Sequence, residues 1–195
     1  EANNFGIRKN VLKYDDVMNV QRNVIYKERR AVLDGEDMKD NIQEMLKEFI
    51  DVTVEQYSNG KSIELSDLKL AIENAYLPHG LLNFDEMKGL NKEQLKDYIK
   101  EVSQKYYAEK EEQIGSEQMR EIERVIMLMV VDRKWMDHID AMDQLRQGIG
   151  IRSYGQQDPV RAYGAEGFEM FNEMNESIRA DVLKGLFNIQ PAGAE

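Results

Sequence analysis

The chain has 195 residues, 42% of them apolar, with a formal net charge of −11 and no cysteine. That length holds one or two domains, and the apolar content is enough for a real core. The negative charge argues against nucleic acid, whose binding rests on clustered Lys and Arg, and the missing thiols exclude disulfide frameworks and thiolate metal sites.

Only three prolines stand among many Glu, Lys, Met, Gln and Ala residues, which favours helix over sheet. The expected class is all-α: a long scaffold helix and an antiparallel two-helix hairpin, with a small helical subdomain inserted between them. The longest apolar run, Val125 to Val131, meets Asp132-Arg133-Lys134 at once, well short of the roughly 20 residues needed to span a bilayer. The N-terminus carries neither the n-region nor the h-region of a signal peptide. It opens Glu1-Ala2-Asn3-Asn4 without an initiator methionine, and reads as a piece of a longer protein.

Ile7, Val11, Tyr14, Met18, Ile25 and Val32 fall on a 4-3-4 spacing, with polar Gln21 and Glu28 at two of the seam positions. The pattern predicts a helix from Ile7 to Leu33, roughly 40 Å long at 1.5 Å per residue, ended by Gly35. Val17, Val24 and Leu33 widen the apolar face, as expected of a strut that touches more than one neighbour.

From Gly35 to Gly115 shorter units alternate with turn residues. Met38 to Tyr57 is amphipathic through Ile42, Met45, Phe49 and Val52, and closes at Ser58-Asn59-Gly60. Ser66 is expected to cap a second helix ending at Leu77-Pro78-His79-Gly80. Asn91 starts a third, with Gln94 at the reciprocal capping-box position and Leu90 and Leu95 placed as a hydrophobic staple. That helix runs through Tyr98, Val102 and Tyr106 into the charged stretch from Glu109 to Glu112.

The hairpin follows. Its first arm, Glu117 to Gln147, carries a stripe of Ile122, Val125, Ile126, Met129, Met136, Ile139 and Met142. Asp158-Pro159, an N-cap residue followed by proline at the first helical position, opens the second arm. That arm carries Phe168, Phe171, Met174, Ile178 and Val182. Between the arms lies Gly148-Ile-Gly-Ile-Arg-Ser-Tyr-Gly-Gln-Gln-Asp-Pro159, read as a loop whose glycines supply positive φ.

Little in the chain carries chemistry. His79 and His138 are far apart in sequence and have no companion ligands, so both are expected at a surface or an interface. The loop glycines miss the Gly-x-Gly-x-x-Gly spacing and follow a helix rather than a strand, which removes the phosphate-loop reading. Asp140 and Asp143 share a helix face, but Arg146 three residues on offers a plain ion pair. Most of the eleven methionines are expected to fill core gaps, and Trp135 to be a packing anchor. Ile149, Ile151 and Tyr154 are the exception, standing in the loop with Arg146, Arg152 and Arg161 as a basic rim. They read as a contact surface for a polypeptide or an anionic surface; the alternative is a loop folded back on its own arms.

Two segments resemble the SecA family of preprotein-translocating motor ATPases. One is Asn10-Val-Leu-Lys-Tyr-Asp-Asp-Val-Met-Asn-Val-Gln-Arg22. The other is Arg133-Lys-Trp-Met-Asp-His-Ile-Asp-Ala-Met-Asp-Gln-Leu-Arg-Gln-Gly-Ile149, with the Arg-Ser-Tyr-Gly-Gln-Gln-Asp-Pro loop shortly after it. The resemblance implies helical scaffold at 1–34 and 116–190, helical wing at 35–115 and a disordered tail at 191–195. It makes the hairpin the two-helix finger, which contacts preprotein at the SecY channel and regulates the motor's ATPase. Tyr154 then maps onto the fingertip tyrosine, with Ile149, Ile151 and Arg152 beside it, while Trp135, Tyr14, Met18 and Ile25 pack the scaffold. The implied partners are the N-terminal motor domains, the SecYEG channel, preprotein and anionic phospholipid, at the cytoplasmic face of a bacterial inner membrane. Walker motifs are missing from this sequence, so ATP and magnesium belong to the motor domains and no catalytic site is assigned here. A second reading is an autonomous helical interaction module, an adaptor or coiled-coil dimer, whose hairpin binds a partner helix and which would dimerise through the Ile7–Val32 stripe.

Overall fold

The structure is a computed structural model that describes residues 2–35, 37–152 and 158–193; the side chains of 2–7, 10 and 152 lie outside that description. Among the described residues the fold is all-α, with α1 Ala2–Leu33, α2 Met38–Gln56, α3 Leu65–Ala75, α4 Phe84–Met87, α5 Lys92–Ile114, α6 Ser116–Arg152 and α7 Pro159–Phe187. None of these helices is long and apolar enough to cross a membrane. The chain divides into two compact units. One holds residues 1–34 and 128–178, the other 35–127 and 179–195, so the division falls inside α6 and α7.

In the first unit three helices pack side by side. Arg29 reaches Asp132 at 2.9 Å, Gln21 reaches His138 and Arg146 reaches Asp15, which sets α1 antiparallel to α6. Tyr14 meets Tyr163 and Gln21 meets Gly167, which sets α7 parallel to α1. Ile25 and Val32 are buried, as is Gln21 between them. Of the Ile7–Val32 stripe, Gln21, Ile25 and Val32 are therefore covered, while Glu28 is exposed. Val24 and Leu33, expected to widen the buried face, are exposed.

The arms bury a different face from the one the periodicity suggests. Along α6 the buried residues are Met119, Glu123, Met127, Val130, Val131, Trp135, His138, Met142 and Ile149, while Val125, Met129, Met136 and Ile139 are exposed. Met119, Glu123 and Met127 belong to the second unit and the rest to the first. The run from Val125 to Val131 is apolar on every side, so its periodicity fits more than one face. Along α7 the stripe through Phe171, Met174, Ile178 and Val182 is buried as expected, but Phe168 is exposed and Tyr163 takes its place in the core. Asp158 caps α7, accepting from the Val160 N–H at 3.1 Å.

The second unit is built on aromatic rings. Phe187 near its C-terminal edge meets Tyr76 with ring centroids at 4.7 Å and Tyr107 at 5.2 Å, and stacks on Tyr106 at 5.9 Å. Phe49 of α2 closes on Tyr76 edge-on. The buried face of α2 runs through Met38, Ile42, Leu46, Ile50, Thr53 and Val54; Val52 is exposed instead. Ser66 lies inside α3, whose N-cap position is Glu64 and carries no side-chain cap. The capping box at α5 forms, with Asn91 and Gln94 exchanging side-chain and backbone bonds. Gly115, at φ 99°, separates α5 from α6, a conformation that only glycine adopts freely. The turn after α3 is held by buried Glu73, which accepts from the Gly80 N–H at 2.8 Å and from Lys69 at 2.8 Å.

Candidate functional site

The α6–α7 hairpin of the first unit is antiparallel, with His138 facing Phe171 and Met142 facing Gly167. Its far end is packed by a small cluster. Met142, Ile149 and Tyr163 are buried together, and Tyr14, Val17, Met18 and Leu145 press against them. Tyr14 and Tyr163 meet edge-to-face at 5.0 Å, and the Arg146 guanidinium lies 5.0 Å from the centre of the Tyr14 ring. Burial pushes the Tyr163 hydroxyl above its ordinary range.

This cluster corrects the sequence reading in two ways. The helix does not stop at Gln147 but runs on to Arg152, so Gly148 and Gly150 are helical and neither has positive φ. Helix interiors disfavour glycine by about 1 kcal/mol against alanine, and side-chain burial one position away outweighs that cost. Ile149 is accordingly 1% exposed and belongs to the core, not to a tip. Ile151, two residues on, is 81% exposed. Arg152 ends the helix with its side chain outside the described residues, and Tyr154 lies outside them altogether.

The other singled-out residues occupy the body of the unit. Trp135 is buried and tilts against His138 with ring centroids at 5.5 Å. Ile25 is buried, while Tyr14 and Met18 are half-buried on the Ile149 cluster. Of the hairpin methionines, Met127, Met142 and Met174 fill the core and Met129 and Met136 are exposed, so gap-filling describes only part of the set. Arg146 reaches Asp15 at 3.4 Å across to α1, where an intrahelical pair with Asp140 or Asp143 was expected. A cleft of about 330 Å³ beside it is lined by Arg22, Asp143, Arg146, Met142 and Tyr163. Among the described residues no group of three or more His, Asp or Glu side chains is placed to hold a metal ion.

His138 departs most from expectation. It is 5% exposed rather than at a surface, and its Nε2 lies 2.6 Å from the Gln21 Oε1. Burial lowers its pKa below the ordinary imidazole value. Gln21 in turn donates from Nε2 to the Gly167 carbonyl at 3.1 Å. A signal for this was present in the sequence: a polar Gln at a position of the apolar seam, and a His one turn after Trp135.

The SecA Wing and Scaffold domain family matches residues 1–190. The protein translocase subunit SecA of Finegoldia magna is 56% identical over 193 residues, covering 98% of this chain and 21% of that protein. SecA 1 of Clostridioides difficile is 52% identical over 189 residues, with 97% and 21% covered. SecA of Clostridium novyi is 50% identical over 194 residues, with 97% and 23% covered. The chain thus spans about a fifth of the length of these relatives.

Proposed function

The chain belongs to the SecA family as its wing and scaffold domain, and from that premise we propose that the α6–α7 hairpin is the two-helix finger of a protein-translocating ATPase. In this reading the end of the finger contacts preprotein at the mouth of the SecY channel, and the hairpin regulates the motor's nucleotide turnover. The motor domains outside this chain supply the ATP and magnesium chemistry. Anionic phospholipid at the cytoplasmic face of the inner membrane is a further partner.

The observation that carries this reading is the contrast at the end of α6. Ile149 is packed into the Met142–Tyr163 cluster, while Ile151 is left 81% exposed. An apolar side chain held out on an anchored helix makes contacts that tolerate any partner sequence, because burial of apolar area is non-directional. That suits a device whose substrates vary. The proposed contact set is Ile151 together with Arg152 and Tyr154, which the family resemblance supplies, and Ile149 anchors the end of α6. Tyr154→Ala in the intact motor should impair translocation more than nucleotide binding. Normal translocation by that variant would remove the fingertip role.

A further inference from the structure

Three long helices that touch mainly through apolar side chains can slip along one another by a turn, about 5.4 Å, and repack. Directional bonds between buried polar groups oppose such a slip, because the shifted state leaves each group unpaired. In the first unit Gln21 of α1 makes two such bonds, one to each arm of the hairpin.

The bonding pattern fixes the orientation of every group. The Gly167 carbonyl can only accept, so Gln21 must turn its amide nitrogen toward α7. Its carbonyl oxygen then faces α6, and His138 must carry a proton on Nε2 to donate to it. Burial favours the neutral ring, leaving that N–H as the proton the imidazole holds. The absence of a side chain at Gly167 leaves room for Met142 to close on α7 beside this bond. A Cβ there would stand 2.5 Å from Met142 Cε and 3.7 Å from the Gln21 Nε2.

Building on the finger reading, we infer that Gln21 is a positioning residue that locks both arms of the hairpin in register on the scaffold helix. The lock transmits a displacement of α1 to α6 and α7 together. Either arm released from it could slide independently.

The test uses the full-length translocase that contains this segment. Amide hydrogen exchange around residues 21, 138 and 167 is compared in the parent protein, Gln21→Leu, His138→Leu and His138→Gln. Gln21→Leu removes both bonds and should raise exchange on both arms at least roughly tenfold. His138→Leu removes only the bond to α6 and should raise exchange roughly tenfold on α6, the equilibrium effect of losing one net buried hydrogen bond. In either variant α2–α5 should be unchanged. His138→Gln retains a donor for the same oxygen and should stay within about threefold of the parent. Unchanged exchange on either arm in Gln21→Leu would overturn the lock, and so would His138→Gln behaving like His138→Leu. If a single leucine variant fails to fold, Gln21→Leu/His138→Leu replaces the hydrogen-bonded side-chain pair together, which is nearly neutral for that pair, and leaves only the Gly167 carbonyl without its donor. Exchange on α7 should then rise, and parent-like exchange on that arm would equally refute the lock. Exchange reports on register without reference to transport. Normal translocation by Tyr154→Ala would thus refute the finger reading while leaving this result intact.

Discussion

The division of labour between Ile149 and Ile151 yields a sharp prediction. Ile149→Ala removes three carbons from a side chain that is 1% exposed, packed beside Met142 and Tyr163. At about 0.8 kcal/mol per carbon the transfer loss is about 2.4 kcal/mol, and a partly relaxed cavity brings the total to about 3 kcal/mol. Ile151→Ala acts on a side chain that is 81% exposed and should stay within about 0.5 kcal/mol. Urea unfolding of the 195-residue chain, followed by the fluorescence of its one tryptophan, reads both. Trp135 belongs to the same compact unit as the two isoleucines, so its signal follows the unit concerned. Hydrogen exchange at residues 148–151 then locates the loss. Equal costs for the two variants, or a cost under about 0.5 kcal/mol for Ile149→Ala, would refute the assignment of one as anchor and the other as contact.

Further predictions concern the buried polar groups. The His138 pKa is lowered from 6.5 by burial, so the unfolded chain takes the proton first as pH falls. Stability tied to the neutral ring is complete above about 6.5 and is lost as pH drops through the folded value. Trp135-detected melts at about pH 5 and about pH 7.5 should differ more for the parent than for His138→Gln, and equal differences would contradict this. In the second unit, Tyr107 donates to fully buried Glu123 at 2.7 Å. Tyr107→Phe leaves that carboxylate one donor short and should cost roughly 1.5–3 kcal/mol; a change under about 0.5 kcal/mol in a circular-dichroism melt would contradict the bond's importance. Asn91→Ala removes the capping box of α5 and should cost about 1 kcal/mol, seen as faster exchange at Lys92–Leu95. Parent-like rates there would mean the cap contributes nothing.

The sequence made helix identity legible and helix orientation only partly so. The start of α5 follows from the Asn91–Gln94 pair, and the start of α7 from Asp158-Pro159, because capping is a local signal read within four residues. The buried face of α6 was misread because Val125, Met129 and Met136 are as apolar as Met127, Val130 and Val131. Polar Glu123 and His138 also lie on the inward side, against the usual rule that polar residues face water. At Gly148 and Gly150 composition suggested a turn, but packing of Ile149 holds the helix. The four-residue α4 is too short to show any period. The partners of Gln21 were invisible for another reason: they lie 117 and 146 residues away in sequence, and only the fold brings them together.

The central claim is that this hairpin touches a polypeptide in transit. A photoreactive side chain at position 151 of the full-length translocase, stalled with a preprotein in the channel, tests it directly. Adducts to the translocating chain are expected from position 151 and none from position 149, whose side chain is buried. Absence of adducts at 151, or equal adducts at both positions, would contradict it.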